Sequence, residues 1–509
     1  MFFASWFKRK QNNGSGSRQI QSSSPQGLPI FPDLEQNKLF FKQIMGNPPD
    51  LIFRDIMCGS NQTKLLLIGM NGLVDKDILY QSAIKPLVEN DQAPMESLSD
   101  IENTLHVGIF NRGRDLGDLL KKLLTGNVIL LMEKQTEAII INAQGFEERT
   151  IEEPKTEPIV RGPHEGFTEA LGTNLALMRR RLHDPMLRFD ILKVGIKSPV
   201  DVCVLYIQDI AAPEIVEDIK NRIRRIKTEA ILGSGYIEEY IDEQPQSLFA
   251  TVGNTERPDK LAGKLLEGRV GILVDGTPTA LWLPYLFLEA MQSPEDYYSL
   301  PFYTSFIRML RYASFWISLI LPAFYVGAQN FHKEMIPTTL LASIAAAREG
   351  VPFPLVMEVI FMLLLFEILK EAGVRMPRSI GQAVSIVGAL ILGDAAVQAG
   401  IVGTPTIIVV ALAGITTFIV TPYTDAVSLL RILLIIPASI LGLFGLLMGV
   451  LAMLTHLASM TSAGVPYLSP FAPTYFRDWK DTFVRVHLKN MDRAPESIPQ
   501  QRKIRHEKP

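Results

Sequence analysis

Hydrophobic and polar positions alternate in two ways along this chain, and the change comes near Pro301. Before it, apolar residues come in short runs separated by charges and turn residues. After it, they come in stretches too long for a strand or a one-sided helix. Between Ser379 and Thr424 the only Asp, Glu, Lys or Arg is Asp394, and between Ile432 and Tyr475 there is none. About 20 apolar residues carry a helix across the bilayer hydrocarbon, and each of these runs is about twice that long. The pattern predicts a polytopic membrane domain over 301–476, with about five segments near 310–328, 351–369, 383–397, 401–420 and 432–454. Pro437 is the expected kink of the last.

The short runs of the first half predict small elements. Leu34 to Met45 has helical apolar spacing. Lys64 to Met70 is a buried-strand run ended by the turn dipeptide Asn71-Gly72. Lys76 to Val88 reads as a helix, His106 to Phe110 as a strand, Asp115 to Leu124 as a helix, and Val128–Met132 and Ala138–Ile141 as strands. Together they make an α/β subdomain over 31–150. A proline-rich connector, Glu152 to Pro163, leads to a second α/β subdomain within 151–300. That subdomain holds a helix through Arg179–Leu182, a strand at Val202–Ile207, an amphipathic helix from Pro213 to Ile226 and a strand from Arg269 into the turn Asp275-Gly276-Thr277-Pro278. Ala280 to Met291, too short to span, reads as an interfacial element leading to the bilayer. The expected fold class is an α+β soluble N-terminal half of two α/β subdomains, followed by an all-α polytopic membrane domain.

Composition adds compartment. The 509 residues are 47% hydrophobic and 20% charged, with mean hydropathy +0.18. A net charge of -3 supplies no field for nucleic acid. Cys58 and Cys203 fit no metal or disulfide spacing and read as buried thiols. Met1 to Lys10 has its basic residues after a short apolar patch, unlike a secretory signal, so the soluble half is expected in the cytoplasm. Residues 1–30 read as a disordered tether and the basic 477–509 as a partly disordered cytoplasmic tail. Uncharged 461–473, with Pro466, Pro470 and Pro473, is expected to stay near the membrane. Five full spans would leave the tail on the wrong side. Either a span is missed or a segment enters and returns, and Ala383–Val397, interrupted by Asp394, is the candidate.

Candidate chemistry is sparse. The chain has no Gly-rich phosphate loop, no paired metal ligands and no nucleophile elbow, so no catalysis, cofactor or metal is expected. His164, between Arg161 and Glu165, could act as an acid–base group, but an ordered interdomain turn is the favoured reading. There the three would fix subdomain orientation by charge-assisted hydrogen bonds. Arg179 to Arg181 read as a solvated helix face paired with carboxylates. Glu358, in the middle of the second segment, is either functional or a protonated group packed between helices, and Glu367 near its end is expected to snorkel. At helical spacing Gly381, Ser385 and Gly388 share one face, while Val384, Val387 and Ile391 form an apolar one beside it. Small residues at that spacing allow close helix approach.

Several longer stretches carry a resemblance. They are Arg161 to Phe167, Glu267 through Pro278, Ser293 to Tyr298, Glu371 to Arg378, Ile380 through Ala396 and Pro466 to Phe471. In this order they resemble the A subunit of the GerA-type spore germinant receptors, over about residues 30–490. The resemblance implies a multi-pass protein of the spore inner membrane that works with a transporter-like B subunit and a lipoprotein C subunit. It also implies a homo-oligomer forming a gated ion path, opened when the partner binds nutrient. Val384, Val387 and Ile391 would then form a hydrophobic gate, Ser385 and Gly388 the neighbouring face, and Asp394 a charged mouth. A SpoVAF-like accessory ion-release protein shares this architecture and stays open as an alternative. A secondary transporter is disfavoured, because no two-fold repeat of broken helices is visible. A non-conducting scaffold that clusters receptors is the third reading.

Overall fold

The structure is a computed structural model. It describes residues 27–89, 94–107, 110–145, 153–154, 157, 159–375, 393–491 and 493–501. The chain forms two compact units, one of residues up to Glu147 with His183–Pro185, the other of Glu148–Leu182 and Met186 onward.

The first unit begins with helix α1 (Leu34–Met45), whose N-terminus is capped by Asp33. Strands β1 (Leu51–Cys58) and β2 (Thr63–Met70) follow, then helical turns at Lys76–Leu79, Tyr80–Ile84 and Lys85–Glu89. Helix α2 (Leu98–Thr104), β3 (Phe110–Gly113), α3 (Leu116–Leu124), β4 (Val128–Met132) and β5 (Ala138–Ile141) complete it. The sheet order is β1-β2-β4-β5-β3, antiparallel throughout. Every residue of β4 and β5 is buried, so both faces of the sheet centre are covered. Cys58 is buried here as a free thiol.

The second unit repeats the plan. Helix α4 (Leu171–Arg181) precedes β6 (Leu187–Val194) and β7 (Val200–Ile207), then α5 (Pro213–Arg225), α6 (Ser234–Ile241), β8 (Gly253–Thr255), α7 (Pro258–Leu266), β9 (Val270–Val274) and β10 (Ala280–Leu283). Its order, β6-β7-β9-β10-β8, is that of the first sheet. The likeness reaches the residues: Lys122-Leu123-Leu124-Thr125-Gly126-Asn127-Val128 answers Lys264-Leu265-Leu266-Glu267-Gly268-Arg269-Val270. Gly126 and Gly268 end their helices at φ +90° and +89°. In each copy the next amide reaches back to the carbonyl of the lysine, at 3.1 and 3.2 Å.

Alternation sorts the second sheet's side chains. Val202, Val204, Ile272 and Leu281 pack under α5 and α6. Cys203, Leu205, Leu273 and Trp282 face α4 and α7, in a core that runs on without a break into the helices beyond Pro301. Two expectations change here. Ala280–Met291 is not an interfacial element: Ala280–Leu283 is strand β10, between β9 and β8, and Phe287–Met291 is a 3-10 turn. Both faces of β10 are buried, which erases the two-residue period. Arg179 is no solvated side chain either. It is buried, with its guanidinium 4.4 Å from the Phe189 ring centre.

The helical half holds α8 (Pro301–Phe331), α9 (Thr338–Ala347), α10 (Leu355–Arg375), α11 (Thr404–Thr417) and α12 (Thr424–Ser459). Only α8 and α12, the latter counted from Thr421, pass as long, apolar helices among the described residues. α10 carries Glu358, Glu367, Lys370, Glu371 and Arg375. Two of the five expected segments thus stand as long apolar helices among the described residues, and the third, 383–397, lies largely outside them. α12 is not one kinked span but a hairpin. Gly442 sits at φ 62°, ψ -143°, and the chain folds back on itself there. A Cβ on Gly445 would fall 2.0 Å from the Pro437 carbonyl oxygen, and one on Gly449 would fall 2.7 Å from Leu434 Cδ2. In a straight helix those pairs would stand about 12 and 22 Å apart.

The turn packs at the far end of α8, where a Cβ on Gly327 would lie 3.1 Å from Gly442. Both arms return to the sheet. Tyr423, just before the first arm, stacks on Phe287 at 5.1 Å and donates to its carbonyl at 2.6 Å. After the second arm, β11 (Thr461–Ser462) and β12 (Val465–Pro466) form a small hairpin on the second sheet unit. Ser462 Oγ donates to the Thr251 carbonyl at 2.6 Å, and Tyr467 Oη to that of Ala250 at 2.8 Å. Residues 461–467 thus bind the sheet unit. Described residues of the tail between Arg477 and Gln501 lie against the same unit, with Gln501 N donating to Ile210 O at 2.8 Å.

Candidate functional site

The helical half buries charge at two levels and anchors it at a third. At the far end, Glu358 lies in the first turn of α10, not mid-segment, and is 1% exposed. Its Oε1 accepts from Arg348 Nε at 3.1 Å and Nη2 at 2.9 Å. Its Oε2 accepts from the Gly403 amide and the Thr406 hydroxyl, each at 3.0 Å. Four donors thus meet the two carboxyl oxygens. Gly403 is required for the approach, since a Cβ there would come within 2.8 Å of Arg348 Cγ. The cluster ties the end of α9 to the starts of α10 and α11, beside Tyr325 of α8.

Nearer the sheet, fully buried Arg431 on α12 pairs with Glu367 on α10. Lys370 joins Glu367 at 2.5 Å and donates to Ser428 Oγ at 3.2 Å. Glu367 does not snorkel, because a guanidinium on the neighbouring helix holds it in place. An intramembrane cation needs such a partner. Arg431, alone ahead of an apolar run, is the sequence signal for it.

At the base of α8, Asp296 accepts from Arg308 Nε at 2.9 Å and from Arg311 Nη1 at 2.9 Å. Arg308 Nη1 also reaches Asp481 Oδ1 of the tail at 3.0 Å, and Tyr297 Oη donates to Asp481 Oδ2 at 2.7 Å. Burial pushes the Asp481 carboxyl up, against the opposing charge of Arg308. Burial and the charge of Asp481 push the Tyr297 phenol well up. The run of charges in the sequence suggests topology signals at Arg308 and Arg311; the fold uses both as ion-pair anchors. In the sheet unit, Arg269 holds Glu267 and Glu289, and Lys264 meets Glu289 at 2.7 Å. Burial would raise the Glu289 carboxyl, but Arg269 and Lys264 outweigh it and hold it low.

The candidate coupling residues do not converge. His164 Nδ1 lies 2.7 Å from Glu153 Oε1, Glu165 pairs with Arg180 and with Arg181 at 2.6 Å, and Arg161 is exposed. Of the candidate gate, Val384, Ser385, Val387, Gly388 and Ile391 lie outside the described residues. Asp394 is exposed on a short helix, 393–398, and accepts from Gln398 Nε2 at 2.7 Å.

Comparison with known proteins places this architecture. The family model described as Bacillus/Clostridium GerA spore germination protein matches residues 40–497. Spore germination protein KA of Bacillus subtilis (strain 168) is 43% identical over 484 residues, 94% of this chain and 89% of that protein. Spore germination protein GerLA of Bacillus cereus is 37% identical over 461 residues, 89% of this chain and 93% of its own length. The crystal structure of the N-terminal domain of the A subunit of the Bacillus megaterium spore germinant receptor GerK3 is 30% identical, covering 51% of this chain and 98% of that one with a TM-score of 0.41. The chain belongs to the GerA family of spore germination proteins, as a member of the A-subunit type.

Proposed function

We propose that this chain is the A subunit of a nutrient germinant receptor, a non-catalytic transducer that turns nutrient binding by a partner into ion release. It works with a transporter-like B subunit and a lipoprotein C subunit, and copies of it assemble around a gated ion path. α8, α10, the segment 383–397 and α11 cross the bilayer, and α12 enters from the sheet side and returns. The sheets and the tail lie in the cytoplasm, as the basic tail favours. The observation that carries this reading is the anchoring of α8. Its base is clamped by Asp296 and Asp481, one from the segment leaving the second sheet, the other from the tail. A shift of the sheet unit therefore pulls directly on a long apolar helix. The segment 383–397 supplies the gate, with Val387 at the constriction and Asp394 at a mouth.

Nutrient-triggered release of monovalent cations from spores tests this. Val387→Ala should leak before nutrient is added, and Asp394→Asn should slow release. Asp481→Asn should uncouple release from nutrient. Normal release in all three, at normal protein levels, removes the ion-path reading.

A further inference from the structure

Where the tail folds over the second sheet unit, it lines a cavity of about 250 Å³ that stays open to solvent on one side. The floor is the cluster of Glu267, Arg269 and Glu289, and the tail forms much of the rest. The carboxylates in its wall are already matched. Glu267 and Glu289 hold Arg269, with Lys264 on Glu289. Asp481 holds Arg308. Asp478 accepts from the backbone amides of Glu496 and Ser497 at 3.0 and 2.8 Å. Arg477 is paired with Glu496 at 2.6 Å.

Among the described residues, Ser469 in the wall is a hydroxyl at 0% exposure without a hydrogen bond, and Lys480 and Arg493 are solvent-exposed cations without an ion pair. Fully buried polar groups in native proteins nearly always have a partner. A buried hydroxyl without a partner, flanked by two solvent-facing cations at one polar cleft, suits negative charge spread over several acceptor oxygens. We propose that this cavity binds a small oxyanion of the phosphate class, held by Lys480 and Arg493 and oriented by Ser469. Free phosphate and the phosphate of an anionic lipid headgroup present the same chemistry. The wall residue Asp481 also anchors the base of α8, so an occupied cavity would draw the tail onto the sheet unit and steady that anchor.

The full chain tests this in two arms. In phospholipid-free detergent, inorganic phosphate is titrated by calorimetry. In phosphate-free buffer, unfolding temperature is read in nanodiscs of phosphatidylcholine with and without phosphatidylglycerol. For a free ligand, phosphate should bind with Kd of roughly 1 mM or tighter. Lys480→Gln with Arg493→Gln should weaken it at least tenfold, and Ser469→Ala several-fold. Lys480→Arg should retain it, and Lys489→Gln, outside the cavity, should change nothing. For a lipid ligand, phosphate titration is silent, and phosphatidylglycerol raises the unfolding temperature of the native chain but not of the double variant. No response in either arm overturns the proposal, as does a response that the double variant keeps in full. Ion release is not the readout, so failure here leaves the ion-path reading standing.

Discussion

At the scale of single residues, buried charge decides most. Glu358 is fully satisfied, and its Arg348 side chain is only 25% exposed. Removing one member of a buried pair costs about 3–5 kcal/mol because the other is stranded. Arg348 keeps some access to the surface, so Glu358→Gln should destabilise by about 2 kcal/mol, read as unfolding temperature of the purified protein. Replacing both, Arg348→Met with Glu358→Leu, should cost less than the sum, and strict additivity would show that the pair does not couple. A second carboxylate behaves differently. Glu238 on α6 is partly buried near Asp242, and burial first, then that negative charge, push its pKa up to about 7. The folded carboxyl thus binds its proton more tightly than the unfolded one. Stability should fall as pH rises from about 4.5 to about 7 and then level off, by an amount on the order of 2 kcal/mol. Glu238→Gln should flatten that slope. An unchanged slope would reassign the effect.

At the scale of elements, glycines set the α12 hairpin. Gly445→Ala would drive a methyl into the Pro437 carbonyl at 2.0 Å, so the arms must separate. It should sharply lower membrane-inserted protein, whereas Gly235→Ala, on α6 with nothing within 4 Å, should be neutral or stabilising by up to about 1 kcal/mol. Equal protein levels for the two would mean the hairpin is not closed. This element also marks the limit of legibility. Short apolar runs bounded by turns and capped helices read directly, as β7 and α1 do. β10 does not, because its apolar residues run on past Leu283 to Met291 and hide where the strand ends. Gly442 does not, because a glycine in an apolar run looks the same whether it packs a helix or turns one. Glu358 is visible as a lone carboxylate among apolar residues. Its partner is not, since Arg348 lies outside that run and reaches it only through the fold. The same holds for Asp296 and Asp481, far apart in sequence and brought together on Arg308.

At the scale of the whole molecule, the second unit is continuous from sheet to helices through a single core. The two arms of α12 begin and end beside that sheet, and in the proposed topology this lets the charged tail stay on the sheet's side. In that topology the segment that returns is 432–454; the other candidate, 383–397, lies largely outside the described residues. Tags on the two termini should therefore lie on the same side of the membrane. Digestion of the C-terminal tag, and not the N-terminal one, by protease outside intact cells would exclude this arrangement. The hairpin also bears on how the chain is made. Its turn, Leu441-Gly442-Leu443, holds no charge and no polar side chain. No hydrophilic side chain of the turn has to be carried through the oil for the last two arms to settle, and Arg431, lower on the first arm, is met by Glu367. That step should therefore need no membrane voltage. In the proposed topology everything translated after Ser459 stays where the ribosome released it, so collapsing the voltage during synthesis should leave cysteines placed in the tail as accessible from the cytoplasm as before.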